Sequence, residues 1–552
     1  MATADSRIHQ MFPVLSPSEL KSARRFASGP ENRFEPGETI YAIGEQSVPA
    51  WLVLSGTIEV VRRDGLSSEV AVTTHGAGQF SGEVNQLSGR ASIASGRAGP
   101  DGCTALPFDA AHLRALMVGS ADVGEIVMRA LILRRVSLIE HGGAGTILIG
   151  NPGSADSARL LTFLTRSGIP HLFLDVEKDE EGRALVERTG VRPDELPLVV
   201  CPAGPVLRRP SEAELAACLG IIPLIDADRV YDVAVVGAGP AGLATAVYAA
   251  SEGLSVIVLD GHAMGGQAGA SSRIENYLGF PTGISGQALA GRAFNQAVKF
   301  GAEIAVPVAV EHMSCDTGQL VLHMTGDRRA TARSVVIASG ARYRRPALPG
   351  LAAFEGTGVS YWVSPIEARQ CLGEEVALVG GGNSAGQAIV FLAPQVVRLH
   401  VIVRRPLADT MSRYLIDRIA ALPNVEIHVG EEICGVEGDH NGGLSAVTIC
   451  KRSDGSTRRQ PLRHLFLFIG ADPNAEWTRG CVDTDKTGFV VTGTGMLPLE
   501  TSRAGVFAIG DVRSGSTKRV AAAVGEGAAV VAQIHTYFAE QPNAAHPALV
   551  TG

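Results

Sequence analysis

The chain is 552 residues long, 45% hydrophobic and 19% charged, with a formal net charge of −8. That length holds about three to four domains. The composition is that of a globular protein, and the acidic balance argues against a general nucleic-acid binder, so no nucleic-acid partner is expected. No apolar run reaches the roughly 18 residues of a membrane span, and Met1–Arg7 lacks the apolar core of a secretory signal, so a cytoplasmic protein without a membrane partner is expected.

Residues 1 to about 118 carry short apolar segments split by glycine turns, such as Trp51–Leu54, then Ser55-Gly56, then Thr57–Val61. This spacing predicts strand, turn and strand in a small all-β roll. Ala121–Glu140 follows as one helix, with Val123, Ile126, Val127, Ala130, Leu131 and Arg134 on a 3.6-residue period. The run His141-Gly142-Gly143-Ala144-Gly145 breaks it and reads as a linker.

The roll resembles a cyclic-nucleotide-binding domain. The residues that carry the likeness are Phe34-Glu35-Pro36-Gly37-Glu38, Leu54-Ser55-Gly56 and the cassette Gly82 to Ser92. The resemblance implies that Glu83 takes the ribose 2′-hydroxyl of a cAMP-like ligand. It also implies that Arg90 pairs with the cyclic phosphate, aided by Ser92 and the backbone at Gly82. The stretch from Glu83 to Arg90 is shorter than the family's usual cassette, which leaves the base identity open and leaves a packing-only roll as the alternative. The helix 121–140 runs on into the next segment rather than into a helix-turn-helix, so a transcription factor is not expected.

Residues 146–222 alternate strand and helix: Thr146–Gly150, Ser157–Arg166, His171–Val176, Glu180–Thr189, Leu196–Val200 and Ser211–Leu219. That order is a small α/β module. It resembles a thioredoxin or glutaredoxin fold, with Leu196-Pro197-Leu198 where that fold keeps its cis-proline strand. The positions of its active cysteines read Asn151-Pro152-Gly153-Ser154-Ala155-Asp156, without a thiol. A docking or spacer role is the expectation.

Two glycine fingerprints dominate the remainder. Gly237-Ala238-Gly239-Pro240-Ala241-Gly242 follows the apolar run Val233–Val236, and Gly380-Gly381-Gly382-Asn383-Ser384-Ala385 follows Val376–Val379. Each reads as a buried strand entering a helix. Glycine serves there for a tight turn, for backbone approach to a pyrophosphate and for helix–strand packing. The N–H groups of the helix start face the phosphates. Asp260 ends the next strand after the first site, placed to accept ribose hydroxyls and to repel a 2′-phosphate, which suits FAD or NAD. The matching strand of the second site, Leu399–Val403, ends in Arg404-Arg405, two forked donors for a phosphate dianion, which favours NADPH. The chain then returns with Gly505–Asp511, a further strand ending in Gly510 and an acid, so the second fold is inserted in the first.

Residues 229–540 resemble a low-molecular-weight bacterial thioredoxin reductase. The matching motifs are Gly237–Gly242, Gly265-Gly266-Gln267, Glu275-Asn276-Tyr277, Ala338-Ser339-Gly340-Ala341, Gly380–Ala385, Arg404-Arg405 and Gly510-Asp511, in the family's order. The resemblance implies a homodimer with FAD touched by Gly266, Gln267, Asn276, Gly340 and Asp511, and an NADPH domain that rotates between two poses. The family's redox dithiol follows a Gly-Val-Ser type sequence. Here Gly358-Val359-Ser360-Tyr361 runs into Trp362-Val363-Ser364-Pro365, with Trp362 and Pro365 where the cysteines belong. No catalytic side chain is therefore expected beyond the flavin.

The expected fold class is multidomain: a β-roll plus helix over 1–141, a thioredoxin-like module over 146–222, and two Rossmann-like α/β domains. The latter are an FAD domain over 229–342 and 466–540 and an NADPH domain over 343–465. None of the eight cysteines stands three positions from another, which excludes a local redox pair, and all eight are expected as small buried apolar residues. Three functions remain open: an NADPH-dependent flavoenzyme regulated by a cyclic nucleotide, with an external acceptor such as a small redox protein; a disulfide reductase using remote cysteines, Cys371 among them; and a non-catalytic sensor.

Overall fold

The computed structural model describes residues 8–64, 68–82, 84–87, 90–140, 146–202, 204–222, 225–315, 319–356, 358–439 and 443–541. The chain forms two compact units. The first comprises residues 1–222, 267–291 and 342–472, the second residues 223–266, 292–341 and 473–552.

The first unit opens with a six-stranded antiparallel roll built on two long strands, Ala50–Asp64 and Ser95–Phe108. Here one expectation is corrected. Ser55-Gly56 is not a turn between two strands but a bulged stretch within one continuous strand, where the register against Ser95–Phe108 shifts. Gly56 takes φ +70°, and a β-carbon there would lie 2.1 Å from the Gly102 carbonyl oxygen. The positive φ marks an irregularity that bends the strand without ending it. The roll closes against the helix Ala121–Glu140, which buries Val123, Val127, Ala130, Leu131 and Arg134 along its inner face.

Residues 146–222 form a four-stranded sheet. Ile147–Gly150 runs parallel to Leu172–Asp175 and antiparallel to Leu198–Val200, which pairs in turn with Val206–Arg208. Helices Ala155–Arg166 and Glu212–Cys218 pack on one face through Leu160, Phe163, Leu164 and Leu215. Helix Glu180–Thr189 covers the other through Leu185. The Leu196–Pro197 peptide is cis.

In residues 342–472 a five-stranded parallel sheet carries the core. The sheet joins Val359–Ser360, His464–Leu467, Glu375–Val379, Arg398–Val403 and Val425–Val429 in that order. One face packs on helices Asn383–Leu392 and Arg413–Ala420 through Leu378, Ile389, Val401 and Leu415. The other packs on the antiparallel strands Glu431–Gly438, Leu444–Lys451 and Thr457–Pro461 through Ala377, Ile402 and Val447.

The second unit holds a seven-stranded sheet with Val230–Val236 flanked by the parallel strands Val256–Leu259 and Arg328–Ile337. The closing helix Val520–Glu540 lies against Pro240–Ser251. Gly527 permits this, since a β-carbon there would meet the Ala241 carbonyl oxygen at 2.5 Å.

A second expectation is corrected by the cysteines. Six of the eight pair, as Cys201–Cys218, Cys315–Cys481 and Cys434–Cys450, while Cys103 and Cys371 are buried thiols. Chain reversal decides these partners, so spacing along the sequence carries no trace of them. Disulfides are ordinarily features of oxidising compartments. Among the described residues no helix is long and apolar enough to cross a membrane. Thiol titration of the denatured, unreduced protein should count two thiols, rising to eight on reduction. The native protein should react slowly, because burial pushes Cys103 up to about 11 and Cys371 up to about 12. Eight thiols without reductant would refute the pairing.

Candidate functional site

The first glycine corner lies wholly in the second unit. The strand Val230–Val236 ends at Gly237, whose φ is +117° and whose added β-carbon would stand 2.2 Å from the Ala338 carbonyl oxygen. Gly239 caps the helix Pro240–Ser251 without a side-chain bond, leaving the helix N-terminus open to an anion. A β-carbon on Gly242 would strike the Gly237 carbonyl oxygen at 1.9 Å, so only glycine fits there. Gly266, at φ +53°, packs against the Gly239 Cα. Asp260 stands at the end of Val256–Leu259 and braces this corner. One carboxylate oxygen accepts the Ala238 N–H at 2.8 Å and the other the His262 N–H at 2.8 Å. Each oxygen keeps a lone pair for a ribose hydroxyl.

Gly340, at φ +66°, has open space where a side chain would stand. Asn474 holds the segment before it. Its side-chain nitrogen donates to the Ser339 carbonyl at 3.1 Å, and its backbone carbonyl accepts the Ser339 hydroxyl at 2.6 Å. Gly510 takes φ +70°, and its N–H is already committed to Glu526 at 2.6 Å. Burial raises the carboxyl pKa of Asp511, with Lys518 opposing and Glu526 reinforcing the shift. Sequence reading missed Asn474 and Glu526, because neither belongs to a motif, and Asn474 reaches Ser339 across 135 positions. Of the residues expected at FAD, Gly266, Gly340 and Asp511 belong to this unit, whereas Gln267 and Asn276 belong to the first. Asn276 is exposed, and its neighbour Glu275 pairs with Arg418.

The second corner lies in the first unit. Gly380, at φ +145°, presses on Phe468, since a β-carbon would lie 2.5 Å from that residue's carbonyl oxygen. Gly382 caps the helix Asn383–Leu392 and has nothing within 4 Å of a built β-carbon, so the cradle is open. Ser384 is exposed in the first turn and Ala385 is buried beneath it. Arg404 and Arg405 leave the end of Arg398–Val403 exposed, with no acidic partner among the described residues. Arg404 also lines an open cavity with Gly430, Lys451, Arg452 and Ser453, which adds cations beside the arginine pair.

The corner at Trp362 is held by one carboxylate. Glu367 is buried and accepts the Trp362 indole N–H at 3.0 Å and the Ser364 N–H at 2.8 Å, and the Ser364 hydroxyl also donates to it. These bonds fix the entry to the short helix Pro365–Gln370. Cys371 is fully buried just beyond. Burial pushes its thiol up to about 12, with Glu367 and Glu374 adding to the shift, so almost no thiolate exists at neutral pH.

In the roll, Gly82 takes φ +124° and Ser92 is buried, its hydroxyl donating to the Ala94 carbonyl at 2.7 Å. Arg90 is half-buried, and Glu83 lies outside the described residues. Arg134 is the residue whose role the sequence did not reveal. From the helix Ala121–Glu140 it donates to the Gly82 carbonyl at 2.8 Å and to the Met11 carbonyl at 2.9 Å, beneath the Phe12 ring. Burial lowers its pKa to about 10.

A strand, a glycine corner and a helix start without a side-chain cap occur once in each unit, with Asp260 ending the next strand in the second and Arg404-Arg405 ending it in the first. The chain belongs to the pyridine nucleotide-disulphide oxidoreductase family, whose model matches residues 231–527. Residues 31–119 match the cyclic nucleotide-binding domain. A thioredoxin reductase of Treponema pallidum is 35% identical over 301 residues, covering 54% of this chain and 94% of that protein. The NADPH-dependent thioredoxin reductase 3 of Arabidopsis thaliana is 31% identical over 56% of this chain, a match that spans 58% of its own length. Among solved structures, the thioredoxin reductase of Lactococcus lactis in its FR conformation is 25% identical with a TM-score of 0.53. It covers 56% of this chain and all of its own. That of T. acidophilum is 28% identical, also at 0.53 and fully covered, over 57% of this chain. The chain thus carries a thioredoxin-reductase-like flavin oxidoreductase domain behind a cyclic-nucleotide-binding β domain. Family membership implies the use of FAD and a nicotinamide dinucleotide.

Proposed function

We propose that this protein is an NADPH-dependent FAD oxidoreductase, regulated by a cyclic nucleotide at the roll, whose electrons leave without an internal dithiol. FAD supplies the hydride-accepting ring. The chain supplies the rest. Gly237, Gly239 and Gly266 admit a pyrophosphate, and Asp260 offers a carboxylate to the ribose. Gly380 and Gly382 cradle the second dinucleotide, and Arg404 and Arg405 select its 2′-phosphate. The observation that carries this reading is the pairing of two open dinucleotide corners with a Trp362–Ser364–Glu367 corner that holds no sulfur. Disulfide exchange needs an attacking thiolate and a resolving thiol, and Trp362 and Pro365 supply neither.

The thioredoxin-like reading of residues 146–222 rests on their strand order, and in this proposal the module carries no redox chemistry. A homodimer in the cytoplasm and a small redox protein as acceptor complete the reading. Stopped-flow mixing with NADPH should bleach the flavin absorbance within seconds, and a screen of acceptors with and without cAMP and cGMP should identify the exit. Absence of bleaching would remove the proposal.

A second reading, reduction of an external disulfide through remote cysteines, is favoured by the exposed Cys434, paired with Cys450 across two strands. Cys371 does not serve it, being buried and without a sulfur partner. A thioredoxin-coupled assay decides: turnover in the wild type that is lost in Cys434→Ser would establish this second route.

A further inference from the structure

The module of residues 146–222 carries no chemistry in the reading above, yet within the first unit it touches both the cassette and the reductase. Against the cassette stands Gly220, at φ +60°. A β-carbon built there would lie 2.8 Å from the Ala91 Cβ, so backbone meets side chain directly. Ala91 is buried between Arg90 and Ser92, the two residues expected at the cyclic phosphate. At a second contact the Thr165 carbonyl accepts the Gln287 side-chain N–H at 2.6 Å. Gln287 sits in the first turn of the helix Gly286–Lys299. Its neighbour Gly286 leaves no room for a β-carbon, which would lie 1.7 Å from the Ala268 carbonyl oxygen. Ala155, the first residue of the helix Ala155–Arg166, faces Gly356, whose built β-carbon would stand 3.6 Å away in ordinary contact.

One core joins these contacts. Leu219 and Ile221, on either side of Gly220, share a core with Leu160 and Leu164 of the helix that ends at Arg166. Cys201–Cys218 ties the helix before Gly220 to the central sheet. A close-packed body of this kind passes on a displacement rather than absorbing it.

We propose that residues 146–222 are the transmission element that couples an occupied cassette to the reductase. This rests on the reading that the roll binds a cyclic nucleotide and acts on flavin reduction. A phosphate drawn onto Arg90 shifts Ala91, Ala91 bears on Gly220, and the module carries the shift to Gln287 and Gly356. Coupling then follows from contacts that differ between the empty and occupied states. The thiol-less end of the module fits this part, because a coupling body needs packing and no sulfur.

The test uses the full chain, with cAMP and cGMP as separate probes, hydrogen exchange as the map and NADPH affinity as the output. In the wild type the bound nucleotide should alter exchange in the cassette peptide, in residues 212–222 and in residues 286–291. It should shift NADPH affinity by about fivefold or more, the lower end of common allosteric couplings. Q287A removes one contact and A155R wedges the other at an exposed position. Each should bind nucleotide as the wild type does, keep its basal rate of flavin reduction, and show a shift of less than about twofold, within ordinary additivity error. A nucleotide that alters the cassette peptide and leaves residues 212–222 and 286–291 silent overturns the proposal, as do two variants that respond like the wild type. A silent cassette peptide with no binding overturns the reading of the roll itself, and the coupling with it.

Discussion

Gly242→Val should give a nearly colourless protein. The built β-carbon lies 1.9 Å from the Gly237 carbonyl oxygen and 3.1 Å from the Gly237 carbonyl carbon, and backbone atoms cannot swing aside as a flexible side chain would. Relief requires the glycine turn to open, which moves the Ala238 N–H away from Asp260 and spoils the pyrophosphate seat. Flavin occupancy after purification should fall to about a tenth or less, a loss of at least ~1.4 kcal/mol in binding. The ratio of flavin to protein absorbance measures it, and circular dichroism checks that the fold persists. Gly382→Ala is the contrast. Its β-carbon meets nothing within 4 Å, and its φ of −89° suits any residue. It should keep its flavin and raise only the KM for NADPH, since the new methyl projects into the cradle. A yellow, fully loaded Gly242→Val protein would show that the first corner is not the FAD site.

The double substitution Arg404→Ala and Arg405→Ala should erase the preference for NADPH. Both guanidiniums are exposed and lack an acidic partner among the described residues, so no internal ion pair is broken when they are removed. Two charge-assisted hydrogen bonds to a phosphate, discounted for solvent, are worth ~2.7 kcal/mol together, or about a hundredfold in kcat/KM for NADPH. NADH lacks the 2′-phosphate and should change little. Salt should compress the wild-type preference in the same direction, because exposed charges are screened. Steady-state or stopped-flow rates with the two dinucleotides give the answer. A variant that still prefers NADPH tenfold would place the phosphate contact elsewhere, with Lys451 and Arg452 beside Arg404 the next residues to test.

The disulfides bear on both experiments. Cys434–Cys450 ties strand Glu431–Gly438 to Leu444–Lys451, adjacent to Lys451 and Arg452. Rates should therefore be compared at one fixed redox state of the protein.

Much of this molecule was legible as sequence because it rests on local rules. A corner that demands a positive φ needs glycine, so Gly237 and Gly380 announce themselves, and a strand before and a helix after follow from apolar runs and spacing. The acid at Asp260 and the arginines at Arg404 and Arg405 are read the same way, from their place at the end of the next strand. The helix Ala121–Glu140 and the alternation of residues 146–222 are likewise periodic over a few turns.

What tertiary structure decided are relations between residues far apart along the chain. Cys315 meets Cys481 across 166 positions. Arg134 reaches the Gly82 and Met11 carbonyls from a helix whose period marks it only as inward-facing. Gly56 carries a turn signal that the pairing of two long strands overrides, leaving a bulge. Gly220 comes to rest on Ala91, and Gln287 on Thr165, contacts without which residues 146–222 read as a spacer. The physical reason is common to all of them: a backbone angle or a helical period is set by neighbours in the chain, whereas a disulfide, a buried guanidinium or a packed contact exists only once chain reversal brings its two halves together.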